Sequence, residues 1–231
     1  MCGRINGSFD KGVRGLYTSL NIHKVVDKPM DQRFIRATDN VSIIRNVGAQ
    51  RRVENATWWL LLERQGEQLK PSKYTSFNTR FDKLNVTGAA GYVPYRQSRC
   101  IIAAKGFGET EFVNKKPVHY YDMQAEQGGL VFGGLYREWR IPNSDKSVLS
   151  CSVITLPPHE KLKHIHSKAM PLILPQEQTV IDRWLDPEFS DTDYLDQFLT
   201  PNIPQNMIAQ QIDKPSSHQA FGESCLIAKD G

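Results

Sequence analysis

Cysteine is scarce and scattered: Cys2, Cys100, Cys151 and Cys225 form no Cys-x-x-Cys pair, so neither a disulfide framework nor a zinc knuckle is expected, and no metal. No run of 18 apolar residues occurs, which argues against a membrane-spanning helix. The first dozen residues have no apolar stretch leading to a cleavage site, so we expect no secretory signal and a cytosolic or nuclear protein. Repeats and low-complexity linkers are lacking. Neither sign of charge dominates: 29 Lys plus Arg stand against 25 Asp plus Glu, a net charge of +4. That balance excludes a histone-like polycation and favours an anionic partner only weakly.

What is there suits a globular chain. Its 231 residues allow one substantial domain or two small ones, with enough length to bury a core. Val13, Leu16, Tyr17 and Leu20 recur at helical spacing, predicting a helix over about 11–22. Strand-like runs follow at Val41 to Arg45, Thr57 to Leu62, Cys100 to Ala104, Val118 to Met123, Leu130 to Leu135, Ser150 to Leu156 and Leu172 to Leu174, separated by Gly, Pro and Asn. Two further helical patterns come late, one after Pro175 with Val180, Ile181, Trp184 and Leu185, and one after Ser190 with Tyr194, Leu195, Phe198 and Leu199. Strands in the middle with helices near the ends predict an α+β fold: a single domain, 1–231, with a curved, largely antiparallel, barrel-like sheet flanked by short helices. The polar stretch from about 201 to 231, with Pro204 and Pro215, is expected to wrap the surface or to be partly disordered beyond a core of about 1–200.

Position 2 carries the sharpest chemical signal. Removal of Met1 would leave Cys2 with an amine and a thiol on adjacent carbons. Their ordinary pKa values, about 7.7–8.0 and about 8.5, make a useful fraction of each nucleophilic near neutral pH. Such a residue traps aldehydes: the amine forms an imine, and the thiol then closes a five-membered thiazolidine, a step favoured because it is intramolecular. The bland alternative is a small buried residue in a first strand.

Several segments, taken in order, carry a resemblance. Met1-Cys2-Gly3-Arg4, Phe77-Asn78-Thr79-Arg80, the run from Arg99-Cys100 to Gly106-Phe107-Gly108-Glu109, Phe132-Gly133-Gly134-Leu135-Tyr136, and Ile165-His166 followed by Met170-Pro171-Leu172-Ile173-Leu174 together resemble the SOS response-associated peptidase family over about residues 1–175. The resemblance implies a protein that crosslinks itself to abasic sites in single-stranded DNA and so shields the lesion. It implies no cofactor and no membrane, and we expect a monomer, cytoplasmic and nucleoid-associated in a bacterium or nuclear in a eukaryote.

Residue by residue, the resemblance implies that Cys2 is the nucleophile and that Asn78 holds the cysteine or the opened sugar. Glu109, at the end of a Gly-aromatic-x-Glu turn, would take protons from the amine, and His166 would donate one to the sugar ring oxygen. Arg4 and Arg80 would grip flanking phosphates, with Lys168 supplying charge where the family generally has Arg, and Trp58 and Trp59 would stack on bases. Several have an ordinary alternative. Asn78 would shape a loop, Arg80 would pair with Asp82 or Glu63, Glu109 would sit solvated, His164 would replace His166, and one Trp would point into the core.

This chain departs from the family pattern in places: Leu60-Leu61-Leu62-Glu63 follows the tryptophans, Gly108 and Thr110 flank Glu109 where aromatics are usual, and Arg36-Ala37-Thr38-Asp39 replaces an Asn-x-x-Pro type of segment. Two other functions are compatible with an N-terminal cysteine or a basic groove. One is a glutaminase-like amidohydrolase using the terminal amine as base; the other is a non-catalytic module for single-stranded DNA.

Overall fold

The computed structural model describes residues 3–141 and 143–231, so Cys2 lies outside the described residues. Strand β1 (Arg4–Asn6) precedes helix α1 (Lys11–Ser19). The Asp10 carboxylate accepts a hydrogen bond from the Val13 amide at 2.9 Å, satisfying a donor that a helix start leaves open. Val13, Leu16, Tyr17 and Leu20 are buried, as their spacing predicts. Two short strands, β2 (Lys24–Val25) and β3 (Ile35–Arg36), lead into the hairpin of β4 (Asn40–Val47) and β5 (Gln50–Thr57). A small hairpin of β6 (Leu62–Gln65) and β7 (Gln68–Pro71) then precedes β8 (Asn78–Arg80) and α2 (Tyr92–Gln97). The long strands come next: β9 (Arg99–Ala104), β10 (Gly106–Val113), β11 (Lys116–Ala125), β12 (Leu130–Arg140) and β13 (Ser147–Leu156). The chain ends with β14 (Met170–Pro171), α3 (Gln178–Leu185), α4 (Thr192–Asp196), β15 (Met207–Ile212) and β16 (Ala220–Ile227).

The fold is α+β, a single domain, and the sheet is barrel-like as expected. Strands β13, β12, β9, β4 and β5 are neighbours in that order through antiparallel pairings. Parallel pairing of β13 with β5, Leu149 opposite Ala56, returns the sheet to its own edge. A second sheet runs β16-β15-β11-β10-β1-β3. The chain passes between the sheets at Lys105, and Gly106 makes that crossing possible: a Cβ there would sit 1.9 Å from the Met123 carbonyl oxygen.

Arg99 ties α3 to the barrel. Buried at the start of β9, it donates to the carbonyls of Tyr95 in α2 and of Trp184, Asp186 and Phe189 at and beyond the end of α3, where helix carbonyls run out of amide partners. The indole N–H of Trp184 donates to the Cys100 carbonyl at 2.9 Å.

Four expectations require correction. The run Thr57 to Leu62 is not a strand: pairing stops at Thr57, and the Leu60 and Leu61 amides donate to the Ser76 carbonyl and hydroxyl while Trp58 and Leu60 bury fully. Leu172 to Leu174 lines the core, but its ladder is confined to Met170–Pro171 and one bridge from Ile173 to Phe132, in a segment where Pro171 and Pro175 supply no amide donors. The last helical pattern forms only the short α4, with Leu199 buried in the turn that follows. The polar tail, expected to wrap the surface or be partly disordered, instead extends a sheet: β15 pairs with β11 and β16 with β15. Met207 and Ala209 bury one face of β15 and Ile212 is buried at its end, while Pro204 and Pro215 fall outside both strands. No helix among the described residues is long and apolar enough to cross a membrane.

Candidate active site

Strand β1 pairs antiparallel with β10, setting Arg4 opposite Gly108, Ile5 opposite Phe107 and Asn6 opposite Gly106. Ile5 and Phe107 are buried and lock this register from the core side. Glu109 therefore belongs to a strand rather than to the expected turn, and its side chain is buried rather than solvated.

His166 reaches Glu109 from the other side of the cleft. A 3-10 turn over Glu160–Leu162 starts this segment, and the Ile165 and His166 amides both donate to the Leu162 carbonyl. Leu162 and Ile165 bury, which fixes where the next side chain points. His166 Nδ1 lies 3.3 Å from Glu109 Oε2 and 3.2 Å from the Thr110 carbonyl oxygen. A carbonyl only accepts, so the Thr110 contact calls for a proton on Nδ1 and leaves the lone pair on Nε2. The other carboxylate oxygen, Oε1, is buried with no hydrogen-bond partner among the described residues.

Burial dominates the electrostatics. It pushes Glu109 up to about 7, against smaller opposing effects that include the Arg4 charge. It also pulls His166 down to about 4; nearby Lys168 adds to the fall and the Thr110 carbonyl resists it. At neutral pH His166 is therefore uncharged, and Glu109 is divided between acid and carboxylate.

Arg4 packs across the same strand. Its Nη2 donates to the Glu109 carbonyl at 2.7 Å and to Thr110 Oγ1 at 3.1 Å. The guanidinium lies between Phe34 and Tyr120, 5.5 and 5.7 Å from their ring centres. Gly108 makes the room, because a Cβ there would come within 2.6 Å of Arg4 Nε. Phe34 and Tyr120 were not singled out from sequence; strand pairing sets Tyr120 opposite Thr110, and Phe34 precedes β3.

The other sequence candidates sit on different elements. Asn78 is half-buried in β8, which runs parallel to β13 with Asn78 opposite Val153. Arg80 is exposed and bidentate to Asp82, through Nε at 2.9 Å and Nη2 at 2.7 Å, so the alternative pairing is realised. Arg80 and Lys168 nevertheless line one cleft of about 390 Å³ with Phe81, Thr155, Leu156 and Ala169. Stacking by Trp58 is corrected: it is fully buried, donates its indole N–H to the Phe77 carbonyl at 2.8 Å and meets the Phe77 ring edge-on, leaving no face for a base. Trp59 stays half-buried, its indole N–H on the Ser72 carbonyl at 3.2 Å. Cys100 and Cys151 are buried and unbridged, and burial pushes both thiols up, so neither is a nucleophile near neutral pH.

The family model for SOS response associated peptidase (SRAP) matches residues 1–215. Among curated relatives, abasic site processing protein YoqW of Bacillus subtilis is 29% identical over 184 residues, covering 77% of each chain. Abasic site processing protein HMCES of Xenopus tropicalis is 27% identical over 161 residues, 62% of this chain and 48% of that one. A solved protein from Bacteroides thetaiotaomicron superposes with a TM-score of 0.70 at 19% identity, over 92% of this chain and 93% of its own. One from Bordetella bronchiseptica gives 0.67 at 17% identity, over 96% and 100%. These two likenesses concern the fold.

Proposed function

The chain belongs to the SOS response associated peptidase family, and from that premise we propose that it processes abasic sites in single-stranded DNA by bonding covalently to them through Cys2 once Met1 is removed. The observation that carries this reading is the β1–β10 pairing. Gly3 and Arg4 continue directly from Cys2, consecutive Cα atoms are about 3.8 Å apart, and Arg4 sits opposite the residue preceding Glu109. A nucleophile at position 2 is thus tethered within about two such steps of the Arg4 Cα, and Arg4 itself lies on the strand paired with the one that carries the buried acid.

An abasic deoxyribose is mostly a closed hemiacetal, and opening it moves a proton from the C1′ hydroxyl to the ring oxygen. His166 suits both halves: Nε2 takes the hydroxyl proton and, as imidazolium, returns one to the ring oxygen. The freed C1′ aldehyde is attacked by the Cys2 amine, and Glu109 relays one amine proton to the new alkoxide to give the carbinolamine. Glu109 then takes the second N–H proton and returns it to the hydroxyl, which leaves as water and gives the imine. Addition of sulfur to the imine carbon, with its proton moving to nitrogen, closes the thiazolidine; the whole sequence releases one water. Asn78 would hold the opened sugar, and Arg4, Arg80 and Lys168 would position the phosphates without reading sequence.

The test mixes processed protein with a single-stranded oligonucleotide carrying one abasic site and resolves the product under denaturing conditions. A shifted band is expected for wild type and none for Cys2→Ala. Equal bands from both would remove Cys2 from the reaction.

A further inference from the structure

The hairpin that joins β10 to β11 continues well past Glu109, and the steps above leave its tip unused. Phe112, Val113 and Val118 are 48%, 49% and 42% exposed, an apolar cluster that a purely solvated turn has no reason to carry. Pairing between β10 and β11 slips between Glu111 and Phe112, and such a bulge re-aims the side chains beyond it. Phe112 thereby lines a cleft of about 180 Å³ with Glu111, Lys163, His164, His166 and Lys168. Because His166 lines the same cleft, it opens onto the reacting groups. The Lys168 ammonium lies 5.6 Å from the centre of the Phe112 ring.

Charge around this tip is basic in effect. Lys115 and Lys116 stand at the turn, with Lys163 and Lys168 across the cleft. Of the acidic neighbours, Glu160 pairs with Lys163 at 2.5 Å and Glu111 contacts the His119 ring at 2.8 Å, which leaves four lysines against two carboxylates. Among the described residues no carboxylate pairs with Lys115, Lys116 or Lys168. A lesion that lacks a base offers nothing to grip at its own position, so recognition falls on its neighbours. An exposed ring beside unpaired cations suits a flanking unpaired nucleotide, since every base has a π face and every link a phosphate.

We infer that Phe112 is the stacking platform for the base next to the abasic nucleotide, with Lys168 holding the phosphate between that base and the lesion. This rests on the proposed abasic-site reading and deepens it by naming the grip on the neighbouring nucleotide.

The experiment uses full-length protein and single-stranded oligonucleotides with one abasic site and 2-aminopurine immediately 5′ or 3′ of it. Wild type is expected to quench one of the two probes at least about twofold on binding, as stacking does. Phe112→Ala should abolish the quench and weaken binding roughly tenfold, whereas Phe112→Trp should retain both. An unchanged thermal midpoint for Phe112→Ala shows that the exposed tip does not hold the fold. If wild type forms its crosslink but neither probe is quenched, or Phe112→Ala quenches as wild type does, the stacking role is overturned while the abasic-site reading stands. If wild type neither binds nor crosslinks, that reading fails and takes the inference with it. If Phe112→Ala instead converts a dimer to a monomer in sedimentation with quenching unaltered, the patch serves a second copy of the chain and the inference is wrong.

Discussion

Glu109 and His166 meet at 3.3 Å between Oε2 and Nδ1, and both are buried. Burial favours the neutral form of each, holding Glu109 near 7 and His166 near 4. At neutral pH this contact is therefore not a standing ion pair. It is a site in which one proton can be taken up or released with little cost, as a reaction that alternately removes and returns protons requires.

The rate of crosslinking should follow that proton. In the proposed mechanism Glu109 acts on the amine as a carboxylate, so the rate is expected to rise as pH climbs through about 7, where the group ionises. The Cys2 amine adds a further rise near its own ordinary value of about 8. Glu109→Gln removes the lower limb, leaves the upper one and slows the reaction on the order of a hundredfold or more. Initial rates of band formation between about pH 5.5 and 8.5 distinguish the two profiles; a Gln variant with the wild-type curve would assign the proton transfer elsewhere.

Stability should respond in a related but separable way. Glu109 titrates near 7 when folded against an ordinary 4.5. Its contribution is fully present below about pH 4.5 and is lost as pH rises through about 7. His166 runs oppositely: its folded value of about 4 lies below 6.5, so stability is lost as pH falls from about 6.5 towards 4. The two slopes nearly cancel in wild type between about pH 4.5 and 6.5. Glu109→Gln keeps only the histidine slope, so the variant should gain on wild type by on the order of 3 kcal/mol between about pH 4.5 and 7.5. Urea unfolding at both pH values measures the gain, and a pH-independent difference would show that the carboxyl is not held near 7.

How much of this was legible in sequence depends on the residue. The α1 and α3 faces were readable because Val13, Leu16 and Tyr17, and Val180, Ile181 and Trp184, repeat at helical spacing and do bury. Strand β10 was hidden because Gly106 and Gly108 look like turn residues. They are present for close approach, to the Met123 carbonyl and to Arg4, within an extended strand. Strand β15 was hidden by its glutamines, which occupy its less buried positions. For the site, the family resemblance pointed to Glu109 and His166 individually. Their contact depends on a sheet register and on a turn after Leu162, and neither leaves a local pattern.

The two tryptophans give a direct separation of fold from binding. Trp58 is fully enclosed and hydrogen-bonded, so Trp58→Ala should destabilise the fold by about 3–5 kcal/mol through the cavity it leaves. Trp59 is half-buried, so Trp59→Ala should cost less stability and weaken binding to an unmodified single strand by about 1 kcal/mol or more where the ring meets a base. Chemical unfolding and fluorescence anisotropy on the same two variants test the assignment. Equal losses of affinity at matched stability would mean that Trp58 also reaches DNA.

Arg80 offers the last test, because its partner is as informative as the residue itself. In this structure Asp82 occupies two of its donors, but the arginine side chain remains 70% exposed and the pair faces water, where such pairs contribute little, about 0–1 kcal/mol. A phosphate can therefore compete for the guanidinium at small cost. Asp82→Asn removes the competing acceptor from the arginine that shares a cleft with Lys168, and should tighten binding to single-stranded DNA several-fold. Arg80→Ala should weaken binding and flatten the dependence of log affinity on log salt by about 0.7, the slope of one phosphate contact on a single strand. The double variant should match Arg80→Ala alone, since Asp82 would act only through the arginine it holds. Affinities measured across a salt series for the three proteins decide the matter: a double variant that keeps the Asp82→Asn gain would show that Asp82 repels the strand directly, and an unchanged salt slope in Arg80→Ala would show that Arg80 touches no phosphate.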